Sequence, residues 1–326
     1  HALIIMLNWA GLFSVALALG VEDCFQGSEY WSKQSQDIRP RPLSNISAPK
    51  KLLTLRRQYR TATVDGKPKF LQYLYFTPKG KERAVRELKL VQQMQADSQV
   101  VRLEYCVADA HVFLFVFETL DDDLMKAYER IENATLLQKL KLLQDLTHVM
   151  TRLHETKIVH GNLRPEIFCF VNDTEWHTRI TSFANARHVG ELGPAGSSWF
   201  IAPEAACRNQ EIAAELSMDV WSMALSVYQI LSGHITDAGE VDCTELAADN
   251  GYLKLWHRRL LDDIHEGLGT PLAHLFPSLS RFLTLDPSSR PSMAEMHAWL
   301  EDEVKKETES PWPRSPASPA SLLTKA

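Results

Sequence analysis

The stretch that decides the fold is HGNLRPE, residues 160–166. It follows a long amphipathic pattern over residues 136–154, which predicts a helix, and it precedes the short apolar run IFCFV. Four further motifs come after it in order: ITSFA at residues 180–184, APE at residues 202–204, DVWS at residues 219–222 and RP at residues 290–291. A single short motif is only a hypothesis, but an ordered series of five motifs over residues 160–291 is not a coincidence.

The series resembles the signature motifs of the protein kinase family. HGNLRPE stands at the place of the catalytic loop H-R-D-L-x-x-x-N, SFA at residues 182–184 stands at the place of D-F-G, and A-P-E is intact. DVWS opens an apolar helix that ends at Gly233 and resembles the central helix of the large lobe in that family. The resemblance implies a bilobal α+β fold, with a small β-rich N-lobe that has one main helix and a larger helical C-lobe.

The order of the predicted elements agrees with that fold. Residues 51–118 alternate β-rich runs with one helical pattern at Glu82–Gln95. Asp65-Gly66, between two of the runs, is a hairpin signal. From Leu124 onward, amphipathic helical patterns dominate. We therefore predict a protein kinase-like domain over residues 50–305, with a cleft between its two lobes.

The resemblance also implies structural roles for individual residues. Glu204 of A-P-E and the late Arg290 are expected to form an ion pair that ties the activation segment to the large lobe. Asp219 is expected to anchor the backbone of the catalytic loop, and His160 is expected to pack on the ring of Phe183.

The groups that carry out phosphoryl transfer are missing from the large lobe. Asn162 replaces the aspartate that accepts the proton of the substrate hydroxyl, and an amide takes up no proton. Ile167 replaces the asparagine that binds metal, and Ser182 replaces the aspartate of D-F-G. Magnesium requires hard oxygen ligands, so a hydrocarbon and a neutral hydroxyl are poor replacements. These three positions are degraded catalytic positions.

The small lobe shows the same losses. The stretch Leu53–Val64, where the family has its glycine-rich phosphate loop, contains no glycine. Gln72 falls at the position of the phosphate-binding lysine, and a slip of one residue to Tyr73 restores no cation. Lys69 serves the site only after a shift of three residues. Glu87 resembles the glutamate that pairs with that lysine, so Gln72 and Glu87 are degraded positions of the ATP site.

Regulation through a phosphate is also disfavoured. Gly161 replaces the arginine that in many kinases binds a phosphate on the activation segment, so activation through Ser197 or Ser198 is not expected. Each lost electrostatic group is worth roughly 10² or more in rate. The joint loss predicts that most catalysis is gone.

Two functions remain open. The first is a catalytically impaired protein kinase-like protein, a pseudokinase, that acts in signalling as a scaffold or allosteric module by binding a protein partner such as another kinase; it needs no cofactor. The alternative is a divergent active kinase that uses ATP and Mg²⁺ to phosphorylate Ser, Thr or Tyr of proteins. Carboxylates without an assigned place are available to such an enzyme at Asp173, Glu175 and residues 121–123.

An uncharged apolar segment at residues 3–21 precedes the domain and approaches the ~20 residues that cross a bilayer. It has three interpretations: a transmembrane helix, a signal peptide with Ala16-Leu17-Ala18 as its cleavage site, or an apolar helix packed on the domain. A membrane tether with the kinase-like domain in the cytoplasm is preferred, and secretion after cleavage is the alternative. Residues 22–49 read as a linker and residues 306–326 as a disordered tail rich in Ser and Pro.

The composition of the chain indicates which partners it does not bind and in which compartment it is found. A net charge of −6 disfavours nucleic acid, whose phosphates require clustered Lys and Arg. The five cysteines are scattered and form no CxxC pair, so each is predicted to be a small buried hydrophobic residue in a reducing compartment.

Overall fold

The structure is a computed structural model, and it describes residues 50–51, 59–64, 67–75, 78–94, 99–108, 112–120, 128–170, 177–194, 198–207, 211–249 and 251–309. These residues fall into two compact units, the first drawn from residues 1–121 and 169–184 and the second from residues 122–168 and 185–326. Several predictions lie outside the described residues: the segment 3–21, the linker 22–49, the turn Asp65-Gly66, the carboxylates at 121–123, 173 and 175, Ser197, and the tail from residue 310.

The first unit is built on a five-stranded antiparallel sheet with the order β1-β2-β3-β5-β4. Its strands are β1 (Lys50–Lys51), β2 (Tyr59–Val64), β3 (Lys67–Tyr75), β4 (Leu103–Ala108) and β5 (Val112–Phe117). All four predicted β-rich runs contribute a strand. Five of the six residues of β5 are aromatic or β-branched, and such residues fit a pleated surface that is buried.

One helix, α1 (Pro78–Met94), packs with this sheet. Proline suits the first turn of a helix, where an N–H would have no intrahelical partner. The helix confirms the pattern predicted at Glu82–Gln95 and begins four residues earlier. Leu88 and Val91 of the predicted apolar face are buried, so this face holds the helix in place.

Two short strands complete the first unit. β7 (Phe168–Phe170) pairs with β8 (Thr178–Ile180). The N–H of Ile180 donates to the carbonyl of Gln99 at 2.8 Å, and the N–H of Val101 donates to the carbonyl of Ile180 at 3.0 Å. These bonds attach the strand that precedes Ser182 to the first unit.

The second unit is mainly helical. Its helices are α2 (Tyr128–Glu132), α3 (Leu136–Glu155), α4 (Leu216–Ser232), α5 (Cys243–Ala248), α6 (Tyr252–Leu272), α7 (Phe276–Arg281) and α8 (Met293–Glu309). A capping box between Thr135 and Gln138 starts α3, and α8 packs against α3. Helix α8 continues four residues into the stretch assigned to the tail, because Lys306 forms ion pairs with Asp302 and Glu303 one turn earlier.

Helix α4 is the central helix of this unit. Every residue from Asp219 to Leu231 is buried, as is expected for a helix that is apolar on all sides. Its buried hydroxyls, on Ser222 and Ser226, donate to carbonyls one turn back at 3.1 and 2.9 Å. The helix ends at Gly233, which adopts a left-handed φ of 80°. The apolar helix predicted after DVWS is confirmed.

Two small antiparallel pairs lie beside these helices. β6 (Ile158–Val159) pairs with β9 (Arg187–His188), and β10 (Leu192–Gly193) pairs with β11 (Ile212–Ala213). Strands β9 and β10 belong to the segment that follows the SFA motif. Backbone pairing on both strands therefore fixes its course.

The cysteines depart from their predicted state. The sulfurs of Cys207 and Cys243 form a disulfide across 36 positions of sequence. The prediction of unpaired buried cysteines is wrong for these two, since the pairing depends on the tertiary fold and leaves no local pattern. The reducing compartment inferred from unpaired cysteines loses that support, because disulfides persist mainly in oxidising compartments. Cys169 is a buried thiol outside any disulfide, as predicted.

Among the described residues, no helix combines the length and the apolar character that a membrane span requires.

Candidate active site

A buried amide and carboxylate pair lies in the first unit at the position predicted for the lysine and its glutamate. Nε2 of Gln72 on β3 donates to both carboxylate oxygens of Glu87 on α1 at 3.0 Å. The exposed fractions of the two residues are 0% and 1%. The amide offers two N–H donors but no charge. The Oε1 atom of Gln72 is buried and accepts no hydrogen bond within the described part of the chain.

Lys69, the cation nearest to this pair along β3, forms a different ion pair. Its Nζ lies 2.5 Å from Oε1 of Glu104 on β4. Side chains alternate between the faces of a strand, so Lys69 and Gln72, three residues apart, point to opposite faces. The register pairs Gln72 with Phe115 of β5, so the shift that would bring Lys69 to the site does not occur.

Three phenyl rings fill the sheet face that carries Gln72. Phe70 lies opposite Phe117, and Gln72 lies opposite Phe115, so all four side chains share one face. The three rings are at most 3% exposed. The ring centroids of Phe70 and Phe117 are 6.1 Å apart, and those of Phe115 and Phe117 are 6.3 Å apart. The surroundings of the amide are therefore apolar and closely packed.

Ser182, at the first position of the SFA motif, has an unusual backbone. Its φ is 65°, in the left-handed region that few residues other than glycine occupy. Its side chain offers one neutral hydroxyl, while the next residue, Phe183, is 1% exposed. Phe183 and His160 belong to different units, so the packing of one on the other stays a prediction.

The carboxylate of Asp219 holds the backbone of the catalytic loop, which lies in the second unit. The backbone N–H groups of His160 and Gly161 donate to its two oxygens at 2.6 and 2.9 Å. The imidazole of His154 lies 3.1 Å from Oδ2. Burial alone would raise the pKa of Asp219, but the hydrogen bond and charge of His154, the charge of His160 and the Gly161 N–H together lower it. An ionised Asp219 therefore holds the loop backbone.

The two residues of this loop that were predicted to replace catalytic groups differ in exposure. Asn162 is half-buried, and its Oδ1 atom is buried without a hydrogen-bond partner among the described residues. Ile167 is 0% exposed and lies in the apolar core. A buried hydrocarbon offers no electron pair, so Ile167 contributes nothing to metal binding.

Glu204 and Arg290 form a bidentate ion pair in the second unit. Nη1 and Nη2 of Arg290 lie 2.7 and 2.9 Å from the two oxygens of Glu204. The guanidinium also donates to three backbone carbonyls and lies 5.1 Å from the ring centroid of Trp221. The Arg290 side chain is 0% exposed and that of Glu204 is 16% exposed. The planar arginine fork matches the carboxylate geometry.

Arg187 on β9 was not identified from the sequence. It is 1% exposed, and its guanidinium donates to three backbone carbonyls of the second unit. An arginine in a polar segment normally indicates a solvated charge. The only sequence signal was the pair of glycines, Gly161 and Gly193, whose need for Arg187 is visible only in three dimensions.

The fold and the arrangement of the described residues define a two-unit, kinase-like protein. The protein kinase domain model matches residues 69–300, and the chain belongs to this family.

The chain is similar to MAP kinase-interacting serine/threonine-protein kinase 1 of Xenopus laevis, with 25% identity over 251 residues, 69% of this chain and 60% of the relative. It is also similar to a putative ribosomal protein S6 kinase alpha-2 of Caenorhabditis elegans, with 23% identity, 69% of this chain and 31% of the relative. The chain thus spans less than two-thirds of the length of these relatives. The crystal structure of the Rad53 kinase domain and SCD2 in complex with AMPPNP has the same fold, with a TM-score of 0.57 and 20% identity over 79% of this chain and 90% of that one.

Proposed function

We propose that this protein kinase domain has lost phosphoryl transfer and acts in signalling by binding a protein partner, such as another kinase. The observation that carries the proposal is the buried pair of Gln72 and Glu87, in which a neutral amide takes the lysine position. Kinases use that lysine to hold the α- and β-phosphates of ATP. An uncharged amide already engaged with both oxygens of Glu87 supplies no positive charge to a phosphate.

The donor set of the other degraded positions supports the same proposal. Magnesium requires oxygen ligands in near-octahedral geometry. Ile167 is a buried hydrocarbon, Ser182 has a neutral hydroxyl and Asn162 a neutral amide. These residues do not fit a magnesium-bound nucleotide. Phosphoryl transfer depends on positioning the phosphates and on neutralising their negative charge. The residues at these positions supply neither function.

The scaffold of the large unit is kept while the chemistry is lost. The Glu204–Arg290 pair and the bonds from Asp219 to the loop backbone hold the activation segment and the catalytic loop in a defined arrangement. An ordered surface without catalysis is what a binding module needs. Because the large unit keeps its ordered framework, we favour a scaffold or allosteric role over a domain that has lost all function.

A thermal-shift titration with ATP, with and without Mg²⁺, tests the proposal. A ligand at 100 times its dissociation constant stabilises the native state by about 2.7 kcal/mol, which raises Tm by roughly 5 °C. We expect no shift at millimolar ATP, whereas the Rad53 kinase domain serves as the positive control. A magnesium-dependent rise in Tm at sub-millimolar ATP would instead support the divergent kinase, the function that the names of the relatives suggest.

A further inference from the structure

Arg187 lies at the centre of the segment that follows the SFA motif. Its guanidinium donates to the carbonyls of Asn185 at 3.0 Å, Glu191 at 3.2 Å and Ile212 at 3.4 Å. These three carbonyls belong to separate turns and strands of the segment. One side chain therefore connects parts of the backbone up to 25 positions from it in sequence.

Two glycines provide the space for this side chain. A Cβ atom on Gly193 would lie 2.9 Å from Cδ of Arg187, and one on Gly161 would lie 3.1 Å from its Nη1. Gly161 also has a φ of +71°, which favours glycine in any case, but Gly193 is not among the residues with a positive φ. The missing side chain at Gly193 is therefore explained by Arg187 alone.

The guanidinium is also connected to the central helix. Gly161 donates its N–H to Oδ1 of Asp219 on α4 at 2.9 Å, and its Cα faces the guanidinium of Arg187. The catalytic loop thus lies between an anchoring carboxylate and the arginine. Gly161 occupies the position where many kinases carry the phosphate-binding arginine, and here another residue supplies the guanidinium next to it.

We propose that Arg187 is a fixed internal clamp that orders the described residues 185–194 and 211–213 without a phosphate group. Three of its five N–H donors bind main-chain carbonyls, and the residue is 1% exposed, so a phosphate on the segment has no open approach to it. The clamp keeps the segment in one conformation regardless of the phosphorylation of Ser197 or Ser198. This inference does not depend on whether the domain transfers phosphate.

The chemistry of the clamp requires arginine. The planar guanidinium has five N–H donors in a rigid fork and stays charged when it is buried. A lysine at position 187 has one flexible ammonium that cannot reach three carbonyls on different sides, and burial lowers the pKa of an ammonium. Arg187→Lys therefore removes the clamp with a small change in volume.

Hydrogen exchange of individual amides tests the clamp in the full chain. The reporters are the N–H groups of Val189, Gly190, Glu191 and Ala214, each of which donates to a backbone carbonyl. In Arg187→Lys we expect their exchange to rise about tenfold or more, while amides in α3 change less than about twofold. Arg179→Lys is the matched control, since Arg179 donates to a carbonyl of the first unit, and should leave the segment at parent rates.

Glycine substitutions keep the test decisive if Arg187→Lys fails to fold. Gly193→Ala places a methyl group against Arg187 and should raise exchange of the same amides in the parent, but should add less than about twofold in an Arg187→Ala background. Parent-like exchange in Arg187→Lys or in Gly193→Ala, or an equal rise in α3, would overturn the proposal.

A separate experiment tests whether the order of the segment is independent of phosphate. Replacing Ser197 and Ser198 with Glu should leave exchange of the reporter amides unchanged. Added protection in that variant, lost again with Arg187→Lys, would show that Arg187 binds an anion on the segment and would refute the fixed clamp.

Discussion

The substitution Arg290→Ala removes the guanidinium that binds Glu204 and three backbone carbonyls of the second unit. It deletes two charge-assisted bonds to Glu204, at 2.7 and 2.9 Å, and three bonds to the carbonyls of Ser217, Thr284 and Leu285. Breaking a buried ion pair on one side costs about 3 to 5 kcal/mol, because the remaining charge is uncompensated. Glu204 keeps 16% exposure and can be partly rehydrated, but the carbonyls also lose their donors. We expect a loss of about 4 kcal/mol in the free energy of unfolding.

Urea unfolding followed by tryptophan fluorescence measures this loss. The ring of Trp221 lies 5.1 Å from the Arg290 guanidinium and stacks on Trp256 with centroids 6.1 Å apart, so these rings report on the second unit. Arg281, an exposed arginine of α7, provides the control Arg281→Ala, which should change the free energy by less than about 0.5 kcal/mol.

A second variant, at Glu204, removes the charge of the carboxylate and keeps the hydrogen bonds of Arg290 to backbone carbonyls. Glu204→Gln keeps an acceptor for one arginine N–H and leaves the three carbonyl bonds, but the buried Arg290 loses its counter-charge. We therefore expect a loss of about 3 kcal/mol, the lower end of the range for a broken buried pair. If Arg290→Ala unfolds at the same urea concentration as Arg281→Ala, the pair does not stabilise the unit and the reasoning is refuted.

Two further predictions concern the second unit. Reducing the disulfide of Cys207 and Cys243, which are 36 positions apart, should lower the free energy of unfolding by about 4 kcal/mol on the chain-entropy model. Urea unfolding with and without dithiothreitol measures this loss. If dithiothreitol changes the stability of the parent chain as little as that of the Cys207→Ser, Cys243→Ser double variant, the prediction is contradicted. Asp219 has a lowered pKa in the folded state, so its stabilisation is present above its unfolded pKa of about 3.9 and is lost as pH falls through the lower folded pKa. The stability difference between parent and Asp219→Asn should therefore be largest near neutral pH and shrink in acid, and a difference that does not vary with pH would contradict the lowered pKa.

The sequence identified the elements whose signals are local or ordered. The motif series located α3, α4 and the Glu204–Arg290 pair, because each motif keeps a fixed place along the chain. Counting from the hairpin glycine located Gln72, because the register of one short hairpin determines the strand position. Each of these residues is recognised from a motif or a count within its own stretch of the chain.

Features that depend on distant contacts were beyond the sequence. The disulfide joins Cys207, which lies in a turn, to Cys243, the first residue of α5, and neither stretch carries a sequence pattern that predicts the pairing. Arg187 appears as an ordinary polar residue until its three carbonyl partners are known. The aromatic face around Gln72 required the pairing of β3 with β5, since Phe70 and Phe117 lie far apart in sequence.

The measurement that tests the loss of catalysis most directly is a phosphotransfer assay on the parent chain and on Asn162→Asp with Ser182→Asp. The double variant returns the base and one magnesium ligand but leaves Gln72 and Ile167 unchanged, and groups that act as a unit give little when only some are restored. We expect both chains to remain at the background rate with ATP, Mg²⁺ and a generic peptide. Turnover by either chain near the roughly 1 to 100 s⁻¹ typical of kinases would contradict the proposed function.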